Sequence, residues 1–398
     1  MTTGRRSLLS MTISQHTSAD RALLIFSGSN ERAVVALCRV LHALGIVPLI
    51  VARTGQDVIF RTRYRRHVVA MRRLDQLDRD DISRCLQEAQ SRAPNARLVL
   101  CPTSEFLNLF LLQNRAYFQQ LGCEIPLVDI ELYRMVSDKY SFSRVCAAQG
   151  VAIPRELADY RGQAFPFVAK PRRNVNQENR SLYPYLLHST ADLETFLDNE
   201  QVTDFYFEEY LSGESYYLLY YLWKDGRVTS FSQQNLLQQA GGKSIVLARP
   251  AQLHNQPVSD QYVGILRQLG FWGLAMVEVI RRGDDLVFIE LNPRFWGPMQ
   301  LIVDADAGIL EAFVADQLGC DQPFPRSQTL PASAAYLWLN GLLATTRSGK
   351  QPRWHINPPA HATRFVLRHL AHDIYLRRDT LGIFAHELRQ ALRAPRKP

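Results

Sequence analysis

Gly273 to Arg294 reads GLAMVEVIRRGDDLVFIELNPR. Ala275 to Ile280 is an apolar run interrupted by Glu278, Arg281 to Asp285 carries the glycine and aspartates of a tight connection, and Leu286 to Leu291 is apolar again around Glu290. The pattern predicts two strands joined by a turn. The even spacing of Glu278 and Glu290 does not by itself place them on one face of a hairpin. Each nevertheless interrupts an apolar run, where an unpaired ionised carboxylate is costly, and a shared divalent cation would answer both costs. Asn292 adds a neutral oxygen on the face of Glu290 if the strand continues, and Arg294 adds a planar fork two residues on. Two carboxylates and an amide oxygen suit Mg²⁺, with Mn²⁺ as a second cation of similar taste, the remaining positions falling to water and phosphate oxygens. Arg294 would then meet the anion that the metal bridges. The plain alternative is a hairpin whose carboxylates pair with Arg281, Arg282 or Arg294.

Upstream of the hairpin, Gly241 and Gly242 precede Lys243 in a short loop with a positive tip, either a closure over phosphate or an ordinary hairpin turn. Tyr216 to Trp223, YYLLYYLW, has strand character, and Tyr206 to Leu211, YFEEYL, sets Glu208 and Glu209 in an aromatic strand. The tyrosines of the first of these stretches line a cleft or fill a core. Phe165 to Lys170, FPFVAK, is a strand ending in a lysine, followed by Pro171, Arg172, Arg173 and Asn174. SDKYSFSRVCAAQGVAIP, from Ser137, predicts a helix capped by Ser137 or Asp138, with Lys139 in its first turn and Gly150 as its stop. A cation there opposes the helix dipole. A neighbouring polyphosphate would offset that, as would simple solvation.

Further out, Ala22 to Phe26, the loop SGSN, a helical stretch from Glu31 to Leu44, Gly45 and a strand from Val47 to Val51 make a βαβ opening. The loop lacks the GxGxxG spacing, so it reads as scaffold bordering the acceptor substrate. Val68 to Ala70, a helix over Asp80 to Ala93, a strand over Leu98 to Cys101 and a helix from Ser104 to Gln120 extend a parallel sheet. Thr103, Ser104 and Glu105 sit where strand gives way to helix, as an N-cap with an acidic first turn or as substrate contacts. Beyond the hairpin, Ala332 to Leu343 suits a strand or buried helix, and Trp354 to Pro359 a loop. From Thr363, apolar residues at helical spacing among basic ones predict a docked or homodimerising helix, broken in two at Gly382.

A chain of 398 residues with 46% hydrophobic and 21% charged residues supports two or three globular units. The net charge of +8 is concentrated in Arg53 to Arg73 and Arg364 to Lys397. A local positive pocket satisfies a nucleotide or an acidic substrate, so nucleic-acid binding is not expected. No run of 18 apolar residues predicts a membrane span. The six cysteines are scattered without a CxxC, which argues for reduced thiols, a cytoplasmic setting and no zinc. GRRSLLSMTI is followed by SQHTSAD, which breaks any apolar signal core, and residues 1–20 are expected to form a disordered tail.

Together, the SDK helix running to GVAIP, the strand FPFVAK, the acidic stretch FEEYLSGES and the VEV to IELNPR hairpin resemble, in this order, the ATP-grasp ligases. That family includes biotin carboxylase, carbamoyl phosphate synthetase and D-alanine:D-alanine ligase, and the resemblance runs from about Arg21 to Ile309. It implies an α/β chain with the ATP-grasp fold: a Rossmann-like pre-grasp domain over 21–131, an ATP-grasp domain over 132–325 with a small lid over about 153–204, and a C-terminal extension over 326–398. It also implies that Lys139 and Lys170 hold ATP phosphates, that Glu208, Glu209 and Leu211 form the hinge at the adenine edge, and that Glu214 faces the ribose. Glu278, Glu290 and Asn292 resemble the magnesium ligands and Arg294 the arginine steadying the transferred group, while Lys243 and Arg249 are expected to contact an acidic substrate. KPRRNVNQENR departs from biotin carboxylase, whose lid has a glycine-rich loop there; Arg172, Arg173 and Asn174 are expected to touch ATP through side chains, or the lid to close differently.

The activity implied is ATP-dependent amide formation between a small-molecule carboxylate and an amine, amino acids among the candidates, through an acyl phosphate with release of ADP and phosphate. A kinase of the same fold, or a non-catalytic nucleotide-binding protein, are the alternatives. Retention of both lysines, both carboxylates, Asn292 and Arg294 weighs against the second.

Overall fold

The computed structural model describes residues 20–172, 182–320 and 334–393. The expected tail lies outside them except for Asp20, and so do Arg173 and Asn174 of the expected lid contacts.

Five short strands form the first sheet: β1 (Arg21–Phe26), β2 (Leu49–Ala52), β3 (Val68–Met71), β4 (Arg97–Leu100) and β5 (Cys123–Glu124). All are parallel, in the order β3-β2-β1-β4-β5. Their near-continuous apolar runs follow from burial on both faces. Leu23 and Ile25 pack with Val34 and Leu37 of helix Glu31–Ala43. Leu24 and Phe26 face the opposite core with Ile82 and Leu86 of helix Arg79–Arg92. The single helix expected from Ser104 to Gln120 is two, Glu105–Gln113 and Arg115–Gln120. The chain bends at Asn114, whose side-chain amide donates back to the Phe110 carbonyl at 2.9 Å, a local bond that competes with helix continuation.

A four-stranded antiparallel sheet, ordered β6-β9-β7-β8, follows: β6 (Glu156–Leu157), β7 (Phe167–Pro171), β8 (Tyr185–Leu187) and β9 (Phe205–Glu209). Helix Thr190–Asn199 covers it, and Phe167, Phe196, Phe205 and Phe207 make a core of its own. The sheet thus takes in β9, beyond the lid limit near residue 204.

The largest sheet contains β10 (Ser215–Leu222), β11 (Val228–Gln238), β12 (Ile245–Ala251), β13 (Gly273–Arg282), β14 (Asp285–Asn292), β15 (Tyr336–Leu337) and β16 (Arg353–Trp354). Its order is β14-β13-β10-β11-β12-β15, with β16 pairing on β11. The tyrosines of β10 alternate with the pleat. Tyr217 and Tyr221 enter the core that reaches the first lobe, whereas Tyr216 and Tyr220 pack beneath helix Pro257–Gln268.

After β15, helix Leu339–Arg347 continues the apolar stretch, and the basic carboxyl-terminal region forms helices Ala362–Leu367 and Leu381–Arg393. The break falls between these two helices and not at Gly382. A Cβ at Gly382 would lie 2.4 Å from the Arg61 carbonyl oxygen, so glycine permits the last helix to dock on the first lobe. Among the described residues no helix is long and apolar enough to cross a membrane.

Candidate active site

The hairpin turns at Gly283, whose φ of 60° suits glycine. Its ladder runs Arg282 opposite Asp285, Ile280 opposite Val287 and Val279 opposite Phe288. The register then slips: Glu278 stands opposite Glu290, Val277 opposite Leu291 and Met276 opposite Asn292, leaving Ile289 as an extra residue in β14. In an unbroken ladder Glu278 would face Ile289, and Glu290 would turn to the other side of the sheet. The bulge therefore places the two carboxylates across from each other. The Phe288 amide donates to the Ala152 carbonyl at 2.9 Å beside the slip.

Around this pair the other expected residues converge. Lys139 is in the first turn of helix Lys139–Ala148, capped by Asp138, whose carboxylate accepts from the Ser141 amide at 2.7 Å. Its Nζ lies 2.8 Å from Glu290 Oε2. Asn292 Nδ2 donates to Glu290 Oε1 at 2.7 Å, and Arg294 Nη2 donates to Asn292 Oδ1 at 3.0 Å. Glu278 accepts from Ser215 Oγ at 3.1 Å. Behind it runs a buried chain in which Asn235 Nδ2 donates to Ser215 Oγ at 2.8 Å and Gln233 Nε2 donates to Asn235 Oδ1 at 2.7 Å.

Burial and the charge of Glu290 push the Glu278 carboxyl up to about 7. Burial also acts upward on Glu290, but Lys139, Asn292 and Arg294 outweigh it and hold the group down to about 2. Burial pulls on Lys139 in the opposite sense, and its contact with Glu290 prevails, lifting the ammonium above its ordinary value. The two carboxylates thus differ in proton affinity although they stand opposite each other.

Lys170, at the end of β7, pairs with Glu208 at 2.5 Å, each side chain 8% exposed. Its Nζ also lies 3.4 Å from the carbonyl of Ile289, so the second lysine reaches the bulge from the lid. Tyr140, Ile153, Lys170, Tyr206, Glu208 and Ile289 line a pocket where the lid sheet faces the hairpin. The Arg172 guanidinium lies 5.5 Å from the Tyr140 ring centroid and 5.9 Å from that of Tyr206.

The acidic residues of FEEYLSGES have partners of their own. Glu209 accepts from Arg282 at 2.7 Å and from the Arg155 amide at 2.8 Å. Leu211 packs with Ile280 and Val287 while its carbonyl accepts from Arg353 at 2.7 Å. Glu214 accepts from the Tyr216 hydroxyl at 2.7 Å and Gln234 Nε2 at 3.0 Å. Arg249, exposed on β12, donates to Gln234 Oε1 at 2.9 Å, which ties it to the Glu214 cluster. Lys243 is exposed at its loop tip. Ser104 caps its helix, accepting from the Leu107 amide at 3.3 Å, the plainer of its two readings.

Sequence reading did not single out Ser215, Asn235, Tyr217 or Arg32. Cross-strand placement of Ser215 beside Asn235, and of Tyr217 beside Glu278, supplies the missing signal.

The donor set fits a hard divalent cation: two opposed carboxylates and an amide, on the same edge of the hairpin. Among the described residues no three His, Cys, Asp or Glu side chains converge as a metal centre.

Neither a protein-family model nor a curated protein matches the sequence. Solved structures do. Biotin carboxylase of Campylobacter jejuni, in complex with βγ-ATP, superposes with a TM-score of 0.56 at 13% identity over 77% of this chain and 72% of that one. The biotin carboxylase domain of Hydrogenobacter thermophilus 2-oxoglutarate carboxylase, with MgADP, ADP and bicarbonate, gives 0.56 at 14% identity over 77% and 71%. N5-carboxyaminoimidazole ribonucleotide synthetase of Thermus thermophilus gives 0.53 at 15% identity over 78% and 80%. At such identities the likeness is one of fold.

Proposed function

We propose, from the premise that this chain has the ATP-grasp fold, that it is an ATP-dependent ligase joining a small-molecule carboxylate to an amine. The observation carrying the reading is the opposition of Glu278 and Glu290 across the bulge, with Lys139, Asn292 and Arg294 gathered on the same edge. Glu278, Glu290 and Asn292 are the residues to hold Mg²⁺, which when bound neutralises triphosphate charge and polarises the γ-phosphoryl group. The Asn292 amide donates to Glu290 and accepts from Arg294, so holding a cation through its oxygen would displace the Arg294 contact.

Lys139 and Lys170 bind phosphate oxygens, each exchanging a carboxylate partner for the nucleotide. Arg294 steadies the group in transfer with its planar fork. A carboxylate oxygen of the substrate takes the γ-phosphoryl group as the bond to ADP breaks. The amine nitrogen then attacks the acyl carbon, phosphate departs with the carbon–oxygen bond, and the nitrogen loses a proton. Positioning and charge neutralisation carry such catalysis without a covalent enzyme intermediate. The scattered cysteines, five of the six buried, suit a cytoplasmic setting.

Phosphate release from Mg·ATP, screened with amino acids singly and in pairs, tests the reading. One acid should stimulate release, an amine should complete the product, and Glu290→Gln should abolish the signal. A phosphorylated product that resists every amine identifies a kinase instead, and activity that survives Glu290→Gln overturns the metal assignment.

A further inference from the structure

One more cation lies outside the set described above. Arg32 lies two residues past the SGSN loop, in the first turn of helix Glu31–Ala43, and is partly buried. Its Nη1 donates to the Tyr336 hydroxyl at 3.2 Å, its Nη2 donates to Ser244 Oγ at 2.9 Å, and its guanidinium lies 3.9 Å from the Trp338 ring centroid. These partners are two hydroxyls and an aromatic face. Among the described residues no carboxylate forms an ion pair with it. Glu387, whose charge it feels, instead accepts from Trp338 Nε1 at 3.0 Å.

The backbone makes room for this side chain. A Cβ at Gly297 would lie 2.9 Å from Arg32 Nη2, although Gly297 has no positive φ to require glycine. The glycine therefore serves close approach, three residues beyond Arg294. Ser244 closes the loop that carries Lys243, the Gln239 amide donating to its carbonyl at 3.0 Å. Arg32 also belongs to the field of the reaction centre: the buried Tyr217 hydroxyl is raised well above its ordinary value by burial, Glu278 and Glu290, with Arg294 and Arg32 opposing.

The guanidinium is partly buried and faced directly by hydroxyls and not by a carboxylate, and its fork matches a planar oxyanion. We propose that Arg32, with Ser244 and Tyr336, seats a substrate carboxylate other than the one that is phosphorylated. The inference rests on the ligase reading above and narrows its substrates to those carrying a second, non-reacting carboxylate, as an amino-acid acceptor or a dicarboxylic donor does. The reacting carboxylate belongs beside Arg294, and Arg32 fixes the far end of the molecule, so that register and not chemistry is its task.

Trp338, stacked on the guanidinium, reports the site independently of turnover. The probes are glycine, alanine and glutamate, each beside its neutral α-amide, and succinate beside succinamate. Each is titrated in the presence of Mg·ATP against tryptophan emission, with chloride matching ionic strength. Wild-type protein should respond to the acids, Trp338→Phe should lose the response, and Arg32→Gln should weaken the apparent affinity on the order of 100-fold. Arg32→Lys retains the charge without the fork and should fall between, and unchanged ATP binding in both variants verifies the fold. Where phosphate release is detected, the same variants should raise KM for the acid and lose its preference over the amide. Amino acids responding alone place the seat on the acceptor, and succinate responding alone places it on the donor. No acid-dependent change in wild-type emission, or an equal change in Arg32→Gln, overturns the proposal. Phosphate release that depends on Glu290 but not on Arg32 overturns it while leaving the ligase intact.

Discussion

Replacing Glu278 with Gln should make the metal-free protein more stable while destroying its response to Mg·ATP. The folded carboxyl keeps its proton up to about 7, because burial and Glu290 both disfavour its charge, whereas an unfolded chain releases it near 4.5. The stability associated with this group is therefore full below about 4.5 and is lost as the pH rises through about 7. That interval, at about 1.4 kcal/mol per pH unit, amounts to roughly 3 kcal/mol by about pH 8. Gln has the same shape, accepts from Ser215 as Glu278 does, and carries no charge to set against Glu290. Urea unfolding in EDTA should show the variant ahead by about 2–3 kcal/mol near pH 8, the gap closing toward pH 5 as the wild-type carboxyl takes up its proton. Mg·ATP should raise the melting temperature of the wild type alone. A variant no more stable than wild type near pH 8 would refute the claim that burial and Glu290 disfavour the charge of this carboxyl.

Two further perturbations probe the lid and the hairpin. Lys170→Met leaves Glu208 buried without its partner and should cost about 3–5 kcal/mol in urea unfolding, whereas Lys170→Met with Glu208→Leu should recover stability without recovering ATP affinity. Deleting Ile289 removes the bulge and leaves Glu290 opposite Glu278, but takes away the main-chain carbonyl that Lys170 approaches at 3.4 Å. The variant should keep its circular dichroism and Mg²⁺-dependent binding of a fluorescent ATP analogue at weakened affinity, and unchanged affinity would show that the bulge does not serve the placement of Lys170.

Local chemistry made much of this molecule legible. Apolar runs broken by single acids identified β13 and β14, a strand ending in lysine identified β7, and a capped helix beginning with Lys139 lies where its sequence predicts. What escaped reading depends on partners distant in sequence. The extra residue at Ile289 is a matter of ladder register, stabilised by contacts with Ala152 and Lys170 that no periodicity encodes. A helix break at Gly382 follows from propensity alone, and tertiary contact reverses it: glycine there admits a neighbour's backbone within a continuous helix. β15 and β16 are two residues each and exist because the edges of β12 and β11 are there to pair with. Arg32 is one arginine among many until Trp338, Ser244 and Gly297 surround it.

The region after β15 touches widely separated parts of the chain. Arg353 holds the carbonyl of Leu211 and lies 4.9 Å from the Tyr210 ring centroid, His355 contacts Gln238 at 2.9 Å, and Trp338 carries Arg32. Were nucleotide binding to move Leu211, the stretch of chain between Trp338 and Arg353 would link that movement to Arg32. Nucleotide binding and the Arg32 seat would then be coupled, and ATP alone should perturb Trp338 emission in the wild type and not in Arg353→Ala.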